Sequence, residues 1–210
     1  MEGNFNQTNL SAEQALQRLV NGNERFRNGA TRVSKQTRAD LTSLAAGQYP
    51  FATILGCSDS RVVPELIFDA GLGEMFVVRV AGNVLSPEGA GSLQYAGSHL
   101  HTPLFVVLGH EGCGAVSAAL ATRDQGAEHR SHIQVLVNSI LPSLPEFDPQ
   151  SSLETRLSKA VESNVRWTVQ KIHESPEGTT RHPEGRMKVV GAIYDIATGL
   201  VRFLDQKDDG

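Results

Sequence analysis

Four short apolar runs punctuate this chain, and two of them stop at its only two cysteines. Ala52-Thr53-Ile54-Leu55-Gly56 leads into Cys57-Ser58-Asp59-Ser60-Arg61, and Leu104-Phe105-Val106-Val107-Leu108-Gly109 leads into His110-Glu111-Gly112-Cys113-Gly114. Near-continuous apolar runs set between helical patterns are strands buried on both faces of a parallel sheet. The carboxyl ends of such strands are where α/β proteins place their chemistry. Two reactive strings at two strand ends therefore converge on one site if the strands are neighbours.

The rest of the pattern predicts the same architecture. Strands are expected at Phe51–Gly56, Met75–Val80, Leu104–Leu108 and Met187–Tyr194, with Thr198-Gly199 turning a hairpin into Leu200–Leu204. Between them, short helices are expected at Arg38–Ala46 and Pro64–Asp69, one from Pro87 to about Leu100, and a small-residue helix over Ala115–Ala121 opened by Cys113. Two longer helices follow at Ile133–Leu144 and Leu153–Glu174, separated by the linker Pro145–Pro149. Asp124–Ser131 and Ser175–Gly185 read as loops. At the start, Ser11-Ala12-Glu13-Gln14 fits a capping box, with Ala12, Leu16, Leu19 and Val20 at helical spacing. This amphipathic segment precedes the first strand, which suggests docking on a partner subunit, its own domain being the alternative. The expectation is one α/β domain over residues 1–210: a helical N-terminal arm (1–47), then a core (48–210) whose mostly parallel central sheet has an antiparallel edge strand and flanking helices.

Bulk properties exclude several classes. A chain of 210 residues with 40% hydrophobic and 20% charged residues is an ordinary globular composition. A net charge of −4, with no basic block, argues against nucleic acid as partner. No run approaches the roughly 20 apolar residues of a membrane span. Met1–Gln7 has neither a basic region nor an apolar one, so a cytoplasmic location is expected.

Cysteine, histidine and aspartate together form a ligand set that suits zinc. Cys57 and Asp59 share a face if the strand end stays extended. His110 and Cys113, three apart, meet through a turn into the next helix, whose dipole favours a thiolate at Cys113. Arg61 can pair bidentately with Asp59. A pair of core cysteines or a disulfide would be the plainer readings. Neither explains why each cysteine stands beside another ligand type at a strand end. A fourth ligand that a salt bridge can withdraw is unusual for a purely structural zinc.

Cys57-x-Asp59-x-Arg61 followed by His110-x-x-Cys113-Gly114 resembles the β-class carbonic anhydrases, and the resemblance runs over nearly the whole chain. It implies one Zn²⁺ per subunit held by Cys57, His110 and Cys113. In an open form Asp59 pairs with Arg61 and leaves water on the metal; in a closed form Asp59 is the fourth ligand. It further implies reversible hydration of carbon dioxide to bicarbonate and a proton, through hydroxide generated on zinc, with Asp59 and Arg61 as catalytic residues. Because two thiolates cancel the metal's charge, that water should be less acidic than at a three-histidine zinc. Activity is then expected to rise with pH and to fall below neutrality.

By the same resemblance Gln48 reaches the substrate pocket across a dimer interface, Phe76, Ala81 and Tyr95 line it, and the Gly114 N–H donates to bound substrate. The expected assembly is a homodimer, with a homotetramer as the larger form. Taken without the family, Phe76 and Tyr95 read as core aromatics, Ala81 as a small core residue and Gln48 as a turn residue before Pro50. Arg79 and Tyr194 match two positions of a non-catalytic bicarbonate pocket found in some members. Ile54 replaces its Trp, which counts against that form of regulation. His99, His101, His129 and His132 are candidates for proton export only because imidazole titrates near neutrality. Two other functions compete: a hydrolase for a CO₂-like molecule such as carbon disulfide, and a non-catalytic zinc-stabilised binding protein.

Overall fold

In the computed structural model, which describes residues 10–32, 38–148, 150–182, 184–185 and 187–204, five strands form one sheet. They are β1 (Ala52–Gly56), β2 (Met75–Arg79), β3 (Leu104–His110), β4 (Lys188–Tyr194) and β5 (Val201–Phe203). The spatial order is β2-β1-β3-β4-β5, with β5 antiparallel to β4 and every other pair parallel. β1 and β3, the strands that end at the two cysteine strings, are neighbours in register from Ala52↔Leu104 to Gly56↔Leu108. β3 runs two residues beyond the expected Leu108, so His110 is itself the last strand residue, beside Tyr194. The Met1–Gln7 string and Pro149 lie outside the described residues.

Helices cover both faces. On one, α1 (Ala12–Arg27) and α3 (Pro64–Ile67) pack against the sheet, while α2 (Arg38–Leu44) lies between α1 and β1 in sequence. α1 carries the expected capping box. Its apolar stripe of Ala15, Leu16 and Leu19 is buried with Phe51, Ile54, Leu104 and Val106 of its own domain. The partner-docking expectation for this stripe is thereby corrected. The helix approaches so closely that a Cβ on Gly22 would lie 1.9 Å from the Phe68 carbonyl oxygen. Asn23 then ties three elements together: Nδ2 donates to Ile67 (3.2 Å) and Gly199 (2.8 Å), and Oδ1 accepts from the Val201 N–H (2.9 Å).

On the other face lie α4 (Pro87–Ser98), α5 (Gly114–Gln125), α6 (Ser131–Ile140) and α7 (Leu153–His173). α5 is longer than the expected Ala115–Ala121 and ends at Gly126 in the left-handed conformation (φ 66°). α6 stops at Ile140 and passes into a tight turn over Leu141–Ser143, because Pro142 has no N–H to continue the ladder. The segment Ser175–Gly185, expected to be a loop, contains the short helix α8 (Pro176–Arg181). The Ser175 hydroxyl caps the Gly178 N–H at 3.1 Å and Pro176 stands at the first helical position. That Ser-Pro start signal was present in the sequence beneath a loop-like composition.

Candidate metal centre

The centre assembles at the carboxyl ends of β1 and β3. Cys57 follows β1 directly; His110 closes β3; Gly112, with φ 66°, turns the chain so that Cys113 becomes the N-cap of α5. The ligand atoms of Cys57, His110 and Cys113 all lie within 4.8 Å of one another. All three residues are buried, His110 completely. Both cysteines are free thiols, so the disulfide reading is not realised.

The donors are electrically primed for a cation. The neighbouring Cys113 sulfur is the main reason the Cys57 pKa falls to about 4 despite burial. Cys113 moves the opposite way, pushed up by the adjacent Cys57 sulfur and by desolvation. Burial alone would lower the His110 pKa, but the adjacent Cys57 thiolate and the Glu111 carbonyl outweigh it and the net shift is upward. His110 Nδ1 lies 3.0 Å from the Glu111 carbonyl oxygen, which assigns the proton to that nitrogen. Nε2 is buried with no hydrogen-bond partner among the described residues. An unpartnered imidazole nitrogen facing two sulfurs is costly unless something occupies the space. Two thiolate sulfurs and one imidazole fit zinc.

Asp59 stands at the edge of this cluster, on the side of His110. The chain turns after Cys57, with the Val62 N–H bonded to the Asp59 carbonyl, so the strand alternation does not continue. Arg61 captures the carboxylate: Nε donates to Oδ1 at 2.9 Å, Nη2 to Oδ2 at 2.7 Å, and the Arg61 N–H to Oδ1 at 3.0 Å. These bonds hold the Asp59 carboxyl well below the usual carboxylate range. Its Oδ2 remains 3.9 Å from His110 Nε2, beyond hydrogen-bond reach.

The other anticipated positions fall on several separate elements. Phe76, on β2, and Tyr95, on α4, have ring centroids 6.1 Å apart. Tyr95 is 46% exposed, which removes its reading as a core aromatic. Ala81 opens the three-residue turn Ala81–Asn83 after β2, and Gly114 begins α5. Gln48 is exposed and precedes β1. Ile54 is fully buried in the core, and Tyr194 is buried at the end of β4. Arg79 is committed to the metal loop, its Nε and Nη2 donating to the Cys57 (3.0 Å) and Asp59 (2.6 Å) carbonyls. That bracing role was not legible in the sequence, nor was the Gly82 N–H that donates to Cys57 Sγ at 3.3 Å. The only local sign of the latter was a Gly-Asn pair directly after a strand.

Known proteins resemble this chain. A family model described as carbonic anhydrase matches residues 52–201. The chain is 39% identical over 199 residues to carbonic anhydrase 2 of Mycobacterium tuberculosis, covering 94% of this chain and 95% of that one. It is 35% identical over 196 residues to the carbonic anhydrase of Mycolicibacterium smegmatis, covering 93% and 94%. Among solved structures it resembles the Coccomyxa β-carbonic anhydrase in complex with acetazolamide, with a TM-score of 0.69, 29% identity, and coverage of 78% of this chain and 75% of that one. A tetrameric β-carbonic anhydrase from Sordaria macrospora gives a TM-score of 0.70 at 25% identity, covering 79% and 86%. The chain belongs to the β-class carbonic anhydrases, zinc enzymes that interconvert carbon dioxide and bicarbonate. Zinc is its cofactor, and Cys57, His110 and Cys113 form the cluster able to hold it. Among the described residues no helix is long and apolar enough to cross a membrane.

Proposed function

We propose that this chain hydrates carbon dioxide reversibly at a zinc held by Cys57, His110 and Cys113, with Asp59 and Arg61 as its catalytic residues. The observation that carries the reading is the bidentate Asp59–Arg61 pair beside three convergent ligands. Bound there, zinc supplies Lewis acidity that lowers the pKa of a coordinated water from about 15.7 towards 7, though less far than at a three-histidine site because two thiolates offset its charge.

Arg61 keeps Asp59 ionised and holds its carboxylate beside the three ligands without joining them. A carboxylate so fixed is only an acceptor near neutral pH, so its task is to take a hydrogen bond from the attacking oxygen and aim it at the substrate carbon. Phe76 and Ala81 offer apolar surface suited to a molecule without a dipole, and Tyr95 extends that surface to the solvent side. The Gly114 N–H, in the first turn of the twelve-residue α5, suits the negative charge that develops on the product.

Gln48 and Tyr95 are both exposed in a single chain. That favours a homodimer in which the partner completes each pocket through Gln48, with a tetramer as the further assembly. Two thiols that must stay reduced to serve as ligands favour a cytoplasmic setting.

Stopped-flow hydration of carbon dioxide, with zinc content measured on the same samples, tests the assignment. Zinc-loaded wild type should be active. Asp59→Asn should keep close to one zinc per chain and lose on the order of 10²-fold in kcat. Parallel loss of metal and activity would instead make Asp59 an ordinary ligand. Turnover of carbon disulfide without turnover of carbon dioxide would replace the substrate.

A further inference from the structure

We propose that Asn164 is a positioning residue for the metal centre, acting on the Cys57 sulfur through the backbone of Gly82. This rests on the Cys57–His110–Cys113 zinc site described above. Asn164 lies on α7, 2% exposed, and its Nδ2 donates at 2.9 Å to the carbonyl of Gly82, 82 residues away in sequence. A buried amide spent on a three-residue turn beside the cysteine, rather than on its own helix, couples α7 to the site.

Gly82 is bonded on both sides of its Cα. Its N–H reaches Cys57 Sγ at 3.3 Å, and its carbonyl is taken by Asn164. Its backbone is left-handed, φ 67° and ψ 22°, a conformation that suits glycine. A Cβ there would also meet Ile140 Cδ1 at 2.8 Å and Ala115 Cβ at 3.1 Å. Pinning the carbonyl fixes ψ, and the enforced φ then sets the direction of the N–H towards the sulfur. The Ser143 hydroxyl, 2.7 Å from the Ile140 carbonyl and 3.3 Å from Asn164 Oδ1, divides its one proton between these two acceptors and so steers the amide weakly. Ser163, one residue earlier on α7, donates to the Ser143 carbonyl at 2.6 Å, so helix and turn are joined twice.

The register that allows this is set by Gly109, the residue before His110. A Cβ at Gly109 would fall 2.5 Å from Val165 Cγ2, so only its absence lets α7 press onto β3 at this level. Residues 164 and 165 thus brace the two halves of the centre from behind. An N–H donor on a thiolate draws off charge density and fixes the lone pairs, which sets both metal affinity and donor strength. Without the Asn164 amide the Gly82 carbonyl is a buried acceptor that has lost its partner, and the turn is free to swing its N–H off the sulfur.

The test is zinc affinity by chelator competition, together with the sulfur-to-cobalt charge-transfer band of the cobalt-substituted protein, for Asn164→Ala and Ser143→Ala. Asn164→Ala should weaken zinc binding ~10-fold and shift the cobalt band. Ser143→Ala, which removes one hydroxyl from both Asn164 Oδ1 and the Ile140 carbonyl, should do the same to a smaller extent. A variant with native near-UV circular dichroism, wild-type affinity and an unmoved band overturns the proposal, because a purely structural role would lower Tm alone. If Asn164→Ala does not fold, an unchanged Ser143→Ala overturns it on its own. A wild-type chain that takes up no zinc would break the metal site itself, a separate result.

Discussion

The same two strands bury polar groups at both ends, and the ends differ in how those groups are satisfied. At the amino ends, Thr53 on β1 and Thr102 just before β3 are both fully buried. Their hydroxyls bond each other at 2.8 Å, with a further contact from Thr102 to the Ala96 carbonyl at 3.4 Å. At the carboxyl ends, Cys57, His110 and Cys113 are also buried, yet His110 Nε2 has no partner among the described residues and two free cysteine sulfurs lie beside it. The first cluster is closed on itself and holds the strands together. The second is incomplete within the chain, and its incompleteness is what makes it a site.

The largest effect should come from destroying the open end. His110→Ala should abolish zinc retention and carbon dioxide hydration together. It should also remove the stabilisation that zinc gives, ~4 kcal/mol when free zinc stands a thousandfold above its Kd. Thermal melts with and without zinc check this, and a variant still stabilised by the metal would contradict it.

Gly109→Ala probes the boundary between the two ends. The added methyl meets Val165, so overpacking should cost about 2–3 kcal/mol and should weaken zinc binding by displacing α7 from β3. Denaturant unfolding of the metal-free protein gives the first number; a variant as stable as wild type with undiminished affinity would show that α7 has room to spare.

The closed end should behave as pure structure. Thr53→Val leaves the Thr102 hydroxyl only its long contact to the Ala96 carbonyl and should cost about 1–2 kcal/mol, whereas Thr53→Val with Thr102→Val should recover most of that loss. Neither should change zinc affinity or kcat. A catalytic defect in the double variant would mean that the two ends are energetically coupled.

The smallest effect concerns Asp59. Arg61 depresses its folded-state pKa below the unfolded value of about 3.9, so the pair adds stability above that pH and loses it as pH falls through the folded value. Urea midpoints of metal-free wild type and Asp59→Asn should therefore differ at neutral pH and draw together from about pH 4 downward. A gap that widens in acid would contradict the pairing.

What the amino acids reveal by themselves is local. Apolar runs mark the strands to within two residues, and the two cysteine strings mark the site, because strand period and ligand type are properties of adjacent residues. Asp59 shows the limit of that logic, since the spacing places it near Cys57 but only the fold shows the Arg61 guanidinium holding its carboxylate beside His110. α8 is hidden by composition, although Ser175 and Pro176 carry its start signal. Arg79 and Asn164 are out of reach for another reason. Their partners lie 20 or more residues away, and the contacts exist only after helix α7 and strand β2 have taken their places. The docking of α1 is undecidable from an amphipathic stripe, which fixes that a face is buried but not against what.

The most direct test of the central claim is the carbon dioxide hydration rate of metal-stripped protein as zinc is added back in measured equivalents. The rate should start at the uncatalysed background, climb in proportion to added metal, and level off at one zinc per chain. Substantial activity before any zinc is added, or a plateau at a stoichiometry other than one, would contradict a single Cys57–His110–Cys113 centre.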